Sequence, residues 1–206
     1  MISMLDLIGN VWTKLFHMEI HIENDMKYKV IDNFLDEEYF DSLVPLFTEN
    51  SSTSAMPWYL APSVEYAKTH KNWKPPKNDK IYYMFHLLYD MNIPCSDYYK
   101  NLLPLLDKLE VVCLIRIKAN LYPNTETLHE HQMHVDFPFS HSAAILSLNT
   151  CDGYTKLEDG TKIDSIANRI LLFDASEKHC SSTATNVFAR FNININYIQK
   201  QLHKMT

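Results

Sequence analysis

The chain has 206 residues, a formal net charge of −6 and hydrophobic residues at 46% of its positions. This length suits one globular domain with a sizeable core, and the acidic balance argues against nucleic acid as the main partner, because phosphate binding favours a basic surface. No apolar run is long enough to cross a bilayer, and four cysteines without a C-x-x-C spacing are typical of reduced thiols, so we expect a cytoplasmic protein.

Residues 1–25 are predicted to form an N-terminal extension, and residues 26–206 a single domain. Apolar residues recur at roughly helical spacing over residues 1–17, which indicates a short helix packed on the domain or on a partner subunit. The segment lacks a basic n-region and a small-residue cleavage site, so we do not expect a signal peptide. An alternative is that Met18 or Met26 is the native start.

The first elements of the domain are a strand and a helix. Residues 27–34 (KYKVIDNF) predict the strand. Asp36 is a favourable N-cap, and the two glutamates that follow it suit the first turn of a helix. An apolar stripe continues over residues 40–47, and we expect Pro45 to kink or end this helix early.

Residues 50–80 are predicted to be a long loop, with four prolines, two tryptophans and five lysines. Long ordered loops with aromatic residues often cover active sites, so Trp58 and Tyr59 are candidate substrate contacts, with the lysines attracting an acidic group. The alternative is a solvated edge anchored by buried Trp58 and Trp73.

The rest of the chain is predicted to be mostly strands. Residues 81–89 favour a strand, and Ser96 caps a helix that Pro104 interrupts. Further strand patterns follow, with a D-G turn at residues 159–160, and they occupy residues 111–122, 134–137, 143–149, 154–163, 168–175 and 188–197. We therefore predict a mainly β (α+β) fold, a jelly-roll-like core backed by N-terminal helices.

An H-x-D pair at His134 and Asp136 is the first chemical signal. In a strand these two side chains point the same way, and they supply two corners of the 2-His-1-carboxylate triad that holds non-haem Fe(II). His179, after the apolar run 170–173, is the candidate third corner. The alternatives are an accidental pair among ten histidines, with His134 structural and His179 a surface residue at a strand end.

Arg190 opens the strand-like run RFNININY and shares one face with Asn192, Asn194 and Asn196. This polar face is either a solvent face or the wall of a pocket. In a pocket, a planar guanidinium binds a carboxylate through two parallel hydrogen bonds.

The order Y-P, H-V-D-F-P, L-N, G-Y, D-G, N-R-I-L-L-F-D, H and R-F-N-I-N resembles the Fe(II)- and 2-oxoglutarate-dependent dioxygenases. The closest likeness is to the prolyl 4-hydroxylase-like branch, with its small bacterial and phage members, and it covers about residues 27–197. The resemblance implies a double-stranded β-helix, a cupin-like jelly roll. It also implies iron ligands at His134, Asp136 and His179, and pairing of Arg190 with the far carboxylate of 2-oxoglutarate.

The resemblance further assigns Tyr122 to the co-substrate pocket. Ser147 falls near the place where animal members carry a second binding tyrosine, and Asn192 or Asn120 are other candidates for that anchor. His131 is a candidate substrate contact close to the metal-binding stretch, although an exposed loop histidine is the alternative.

The implied activity is hydroxylation of an unactivated C–H bond in a peptide or prolyl, amino-acid or small-molecule substrate. Fe(II), 2-oxoglutarate and O₂ would be required, with a role for ascorbate left open, and succinate and CO₂ would be released. The carboxylate ligand favours hydroxylation over halogenation. Alternatives are a nucleic-acid demethylase of the same superfamily, where the further arginine expected is Asn196, a cupin-like binding protein without oxygenase activity, and a structural sandwich. The pattern leaves the oligomeric state open.

Overall fold

The computed structural model describes residues 28–49, 56–61 and 82–199. The predicted N-terminal extension, most of the predicted loop at 50–80 and Trp73 lie outside these residues. The described strands are β1 (Tyr28–Ile31), β2 (Tyr59–Ala61), β3 (Tyr83–Asp90), β4 (Ile93–Pro94), β5 (Val111–Pro123), β6 (Ser142–Ser147), β7 (Tyr154–Leu157), β8 (Lys162–Asp164), β9 (Ile170–Asp174), β10 (His179–Ser181) and β11 (Ala189–Gln199).

These strands form a large and a small antiparallel sheet. The large sheet has the order β1-β9-β6-β11-β5-β3-β2, with β4 paired to β3, and the small sheet has the order β10-β7-β8. The small sheet covers one face of the large one, since Leu157 and Ile163 pack with Ile145, Leu171 and Phe173 in one buried cluster. Two antiparallel sheets packed face to face confirm the predicted jelly-roll core.

Short helices cover the other face of the large sheet. They are α1 (Glu37–Leu43), α2 (Pro45–Thr48), a 3₁₀ helix (Asp97–Leu102) and α3 (Leu103–Lys108). Their buried side chains, among them Phe47 and Leu105, share a core with Ile193 and Ile195 of β11. Because strand side chains alternate, the polar side chains of β11 face the small sheet instead.

Prolines divide the helices as predicted. Pro45 stands in the first turn of α2, so the helix that starts after Asp36 ends at Leu43. Asp36 occupies the N-cap position, but its side chain makes no capping hydrogen bond. The Ser96 hydroxyl does cap, since it accepts from the backbone N–H of Tyr98 at 3.3 Å.

Three local predictions were wrong. Residues 134–137 do not form a strand, and only an isolated bridge joins His134 to His179. The predicted loop at 50–80 contains strand β2, and β10 was not predicted. The D-G turn is confirmed, with Gly160 at φ +91° in the left-handed region that glycine tolerates.

None of the helices in the described part of the chain combines the length and apolarity needed to cross a membrane.

Candidate metal centre

The three predicted metal-binding side chains converge between the two sheets. One candidate ligand atom from each of His134, Asp136 and His179 lies within 4.8 Å of the other two. Nε2 of His179 is 3.8 Å from Oδ2 of Asp136. Asp136 follows the isolated bridge in a bend, so backbone turning, and not the strand alternation that we expected, brings it to the histidines.

Backbone pairing holds the two histidines side by side. The N–H of His134 donates to the carbonyl of His179 at 3.0 Å, and the N–H of His179 donates back at 2.9 Å. Each Nδ1 lies 3.1 Å from a carbonyl oxygen two residues earlier, that of Gln132 and that of Glu177. An Nδ1–H that donates to these carbonyls leaves the lone pair on Nε2, the nitrogen available to a metal ion.

Both oxygens of Asp136 accept hydrogen bonds. Nη2 of Arg116 donates to Oδ1 at 2.8 Å. Nδ2 of Asn196 and Nδ2 of Asn194 donate to Oδ2 at 2.8 and 3.2 Å. Arg116 also stacks on the ring of Phe137, with its guanidinium carbon 4.6 Å from the ring centroid. The carboxylate is therefore held from β5 and β11 together.

The surroundings set the charges of the three groups. Burial by itself raises the pKa of Asp136, but Arg116, with His179 and Lys118, outweighs it and holds that pKa below its usual range. Burial, with His179 beside it, lowers the pKa of His134 to about 4, and burial also lowers the pKa of His179. At neutral pH the site thus offers one carboxylate and two neutral imidazoles. This donor set fits a divalent metal such as Fe(II).

Arg190 lies deep in the same region, with 1% of its surface exposed. Its Nη1 donates to the carbonyl of Ser182 at 3.2 Å, and its Nη2 to the hydroxyl of Thr155 at 3.1 Å. Its guanidinium carbon lies 5.2 Å from the ring centroid of Tyr122, and its Nε has no hydrogen-bond partner. Among the described residues no carboxylate forms a salt bridge with it. A buried cation without a counter-ion in the protein is suited to binding an external anion.

Gly153, just before β7, leaves room for the Arg190 side chain. A Cβ at this position would lie 2.7 Å from Cδ of Arg190 and 2.7 Å from the carbonyl oxygen of Thr183. Only glycine lets the backbone approach this closely without moving the arginine.

A ladder of polar pairs connects Arg190 with Asp136. The facing pairs of β11 and β5 are Arg190–Tyr122, Asn192–Asn120, Asn194–Lys118 and Asn196–Arg116. Asn120 donates to Asn192 at 2.9 Å, and Ser147 pairs with Asn192 from the other neighbour, β6. The polar face of β11 is buried, so the solvent-face interpretation was wrong.

A pocket opens along this ladder. Its lining includes Tyr83, Lys118, Asn120, Tyr122, His134, Asp136, Ile145, His179, Ser181, Asn192 and Asn194. The predicted residues Tyr122 and Asn192 belong to this lining, and Ser147 is buried next to Asn192. Their roles as co-substrate contacts stay predictions.

The sequence interpretation missed three residues of the site: Arg116, Lys118 and Tyr83. A signal for the first two is present in the sequence. In IRIKANLY the polar residues alternate with apolar ones, as they do in RFNININY, and the two polar faces meet in the paired strands. Tyr83 had no comparable signal.

Two predicted substrate contacts lie away from the metal-binding residues. Trp58 packs on Phe191 with ring centroids 6.0 Å apart, and it joins the core on the helix side of the large sheet. Tyr59 lies on the edge strand β2 with 55% of its surface exposed. It pairs with Phe85, which pairs with Asn120, so it lies on the pocket side at the margin of the sheet.

His131 is buried, which contradicts the expectation of an exposed loop histidine. Its ring centroid lies 5.2 Å from that of Tyr122 and 6.2 Å from that of Tyr83. Its Nδ1 is 3.0 Å from the carbonyl of Ser181. The side chain supports the wall of the pocket from behind these two tyrosines.

No protein-family model matches the chain, and no curated protein matches its sequence. Solved structures do match it. A prolyl-4-hydroxylase from Pseudomonas putida aligns with a TM-score of 0.55 at 13% identity, over 86% of this chain and 95% of the other. A prolyl hydroxylase from Trichoplax adhaerens, in complex with a peptide of the hypoxia inducible factor oxygen degradation domain, aligns with a TM-score of 0.52 at 16% identity, over 96% and 94%.

The epimerase SnoN, in complex with Fe³⁺, α-ketoglutarate and nogalamycin RO, aligns with a TM-score of 0.54 at 12% identity, over 84% of this chain and 79% of the other. At these identities the likeness establishes the fold. The chain has the fold of the 2-oxoglutarate- and Fe(II)-dependent oxygenases, including the prolyl hydroxylases, as the sequence resemblance predicted.

Proposed function

We propose that the protein is a non-haem Fe(II)- and 2-oxoglutarate-dependent oxygenase that hydroxylates an unactivated C–H bond. One observation carries the proposal. A cluster of one carboxylate and two neutral imidazoles lies at one end of a ladder of buried polar pairs, and the other end is a buried guanidinium without a carboxylate partner. A metal-chelating dicarboxylate matches this arrangement of charges.

In this proposal Nε2 of His134, Nε2 of His179 and a carboxylate oxygen of Asp136 hold the metal. Three protein ligands leave positions open for the co-substrate and O₂. When bound, Fe(II) and 2-oxoglutarate supply the oxidant, with release of CO₂ and succinate.

The chain's other residues bind and orient. Arg190 takes the far carboxylate of 2-oxoglutarate, beside Tyr122, and Asn192 is the candidate second anchor. The hydrogen bonds of Arg116 and Asn196 keep the carboxylate of Asp136 ionised and oriented.

The substrate class stays broad in this proposal: a peptide or prolyl residue, a free amino acid or another small molecule. The structural neighbours include one with a bound peptide and one with a bound small molecule, and this range supports no single choice.

An anaerobic optical titration tests the proposal. Purified protein receives Fe(II) and then 2-oxoglutarate, and we expect a metal-to-ligand charge-transfer band in the wild type. His134→Ala should lose this band, whereas His129→Ala, a histidine outside the metal cluster, should keep it. Arg190→Met should bind Fe(II) normally but raise the Kd for 2-oxoglutarate about 10- to 100-fold, the value of a charged hydrogen-bonded pair.

Succinate formation in air distinguishes an oxygenase from a cupin-like binding protein. A folded wild-type protein that gives neither band nor succinate would contradict the proposal. A band without succinate from 2-oxoglutarate would leave a metal- and ligand-binding jelly roll.

A further inference from the structure

The pocket contains a second cation that the proposed function does not use. Lys118 of β5 lines the pocket together with His134, Asp136 and His179, and it faces Asn194 across the strand pair. Its ammonium forms no hydrogen bond or salt bridge with the described residues; Asp136 and Asp90 act on it only at longer range.

Asp136 is not available as a partner for Lys118. Its two oxygens already accept from Arg116, Asn194 and Asn196, and the salt bridge to Arg116 balances its charge. A lysine that turns into a polar pocket without a partner is suited to an anion that enters the pocket.

Charges in the loaded site leave this position positive. A divalent metal balances a doubly ionised 2-oxoglutarate, and Arg116 balances Asp136. Two cations, Arg190 and Lys118, are left over. Arg190 is placed for the far carboxylate of the co-substrate, and the near carboxylate binds the metal, so neither carboxylate requires Lys118. An unbalanced charge in a largely buried pocket is unfavourable, so one more anion stabilises the complex.

Position also separates Lys118 from the co-substrate end of the ladder. The Arg190–Tyr122 pair is at one end, and Lys118 lies two cross-strand pairs away, next to the residues that hold Asp136. A substrate must bring its reacting C–H bond to this metal-binding end, so a group that lines the pocket there can contact it.

We infer that Lys118 binds a carboxylate of the primary substrate, which is therefore a small carboxylic acid such as a free amino acid. This inference rests on the proposed function. The ammonium of Lys118 supplies up to three donors on a flexible stem, and it would hold the acid beside the metal, while Asn194, which faces Lys118, keeps its bond to Asp136.

Calorimetric titration of the anaerobic Fe(II)- and 2-oxoglutarate-loaded protein tests the inference, with propionate as the probe and propionamide as its uncharged analogue. We expect propionate to bind to the wild type and to Lys29→Met, a control lysine exposed on β1. In Lys118→Met its Kd should rise about tenfold or more, the value of a charged hydrogen bond, and Lys118→Arg should restore binding. Propionamide should bind the wild type no better than it binds Lys118→Met.

Other outcomes overturn the inference. Equal propionate affinity in the wild type and Lys118→Met would do so, as would a wild type that does not bind propionate. A weaker 2-oxoglutarate band in Lys118→Met, with propionate binding unchanged, would assign the lysine to the co-substrate. Loss of the band in the wild type itself would instead refute the proposed function. If Lys118→Met does not fold, Lys118→Gln replaces it in the same titration.

Discussion

At the scale of single residues, the support of Asp136 is the feature that most distinguishes this site. A carboxylate whose two oxygens accept from Arg116, Asn194 and Asn196 cannot rotate away from the two histidines. Arg116 is itself fixed, because it donates to Asn196 at 3.1 Å and lies on the ring of Phe137. Groups of this kind orient a metal ligand without touching the metal.

Arg116→Met should therefore weaken metal binding about 10- to 100-fold, because Asp136 loses its fixed orientation and its counter-charge. The backbone pairing of the two histidines does not involve Arg116 and should persist. Competitive titration with Fe(II) under argon measures the effect. Arg169→Met is the matched control, since Arg169 also pairs with an aspartate, Asp32, but outside the pocket. Equal affinities in the two variants would show that Arg116 serves only the fold.

At the scale of elements, the segment before the metal-binding stretch is tied to the small sheet by Glu130. Its Oε1 accepts from the hydroxyl of Tyr154 at 2.8 Å, and its Oε2 from Nζ of Lys156 at 2.9 Å. Lys162 of β8 lies 3.4 Å from Oε1. Because Glu130 stands four residues before His134, these bonds help to connect the β7–β8 hairpin with the metal-binding stretch.

These contacts predict a pH-dependent contribution to stability. The hydrogen bond from Lys156, with that from Tyr154, lowers the pKa of Glu130 from 4.5 to about 2. A carboxyl with a lowered pKa in the folded state stabilises the protein above pH 4.5, and this stabilisation is lost as the pH falls towards 2.

Glu130→Gln should lower the melting temperature by only a few degrees at pH 7, because the pair is partly exposed to solvent. The difference from the wild type should shrink as the pH falls below 4.5. Thermal melts of both proteins across this range provide the measurement, with the exposed Glu126→Gln as the control. A difference that is constant with pH would contradict the role of the ionised carboxylate.

At the scale of the whole molecule, the large sheet separates two kinds of interior. On one face the helices and the apolar side chains of β11 form the main hydrophobic core. On the other face the same strands carry the polar ladder and the candidate metal centre under the small sheet. Stability and chemistry are therefore assigned to opposite faces of the same strands.

A core substitution on the helix side should consequently leave the site intact. Leu105→Ala in α3 removes a fully buried side chain and should cost about 2–5 kcal/mol of unfolding free energy, from lost burial and the cavity. Leu103→Ala, in the same helix but half exposed, should cost less. Denaturant unfolding measures both. Metal affinity of the folded Leu105→Ala protein should match the wild type, and a large loss would contradict the separation of the two faces.

The sequence alone determined much of the fold and the main members of the site. The alternation of β5 and β11, the D-G turn and the helix break at Pro45 are local patterns, and each gave the correct element. His134, Asp136, His179 and Arg190 were also chosen from their order and spacing, and the structure brings them into one buried region.

Only the tertiary structure decided which strand faces meet and which are buried. Alternation marks a polar face on β11, but whether this face contacts solvent depends on the small sheet above it, whose strands come from other parts of the chain. Arg116 and Lys118 join the site through the register of β5 against β11, a pairing between residues far apart in sequence. Likewise, the burial of His131 and the place of Trp58 on the helix side follow from packing between distant segments, which no local pattern of residues encodes.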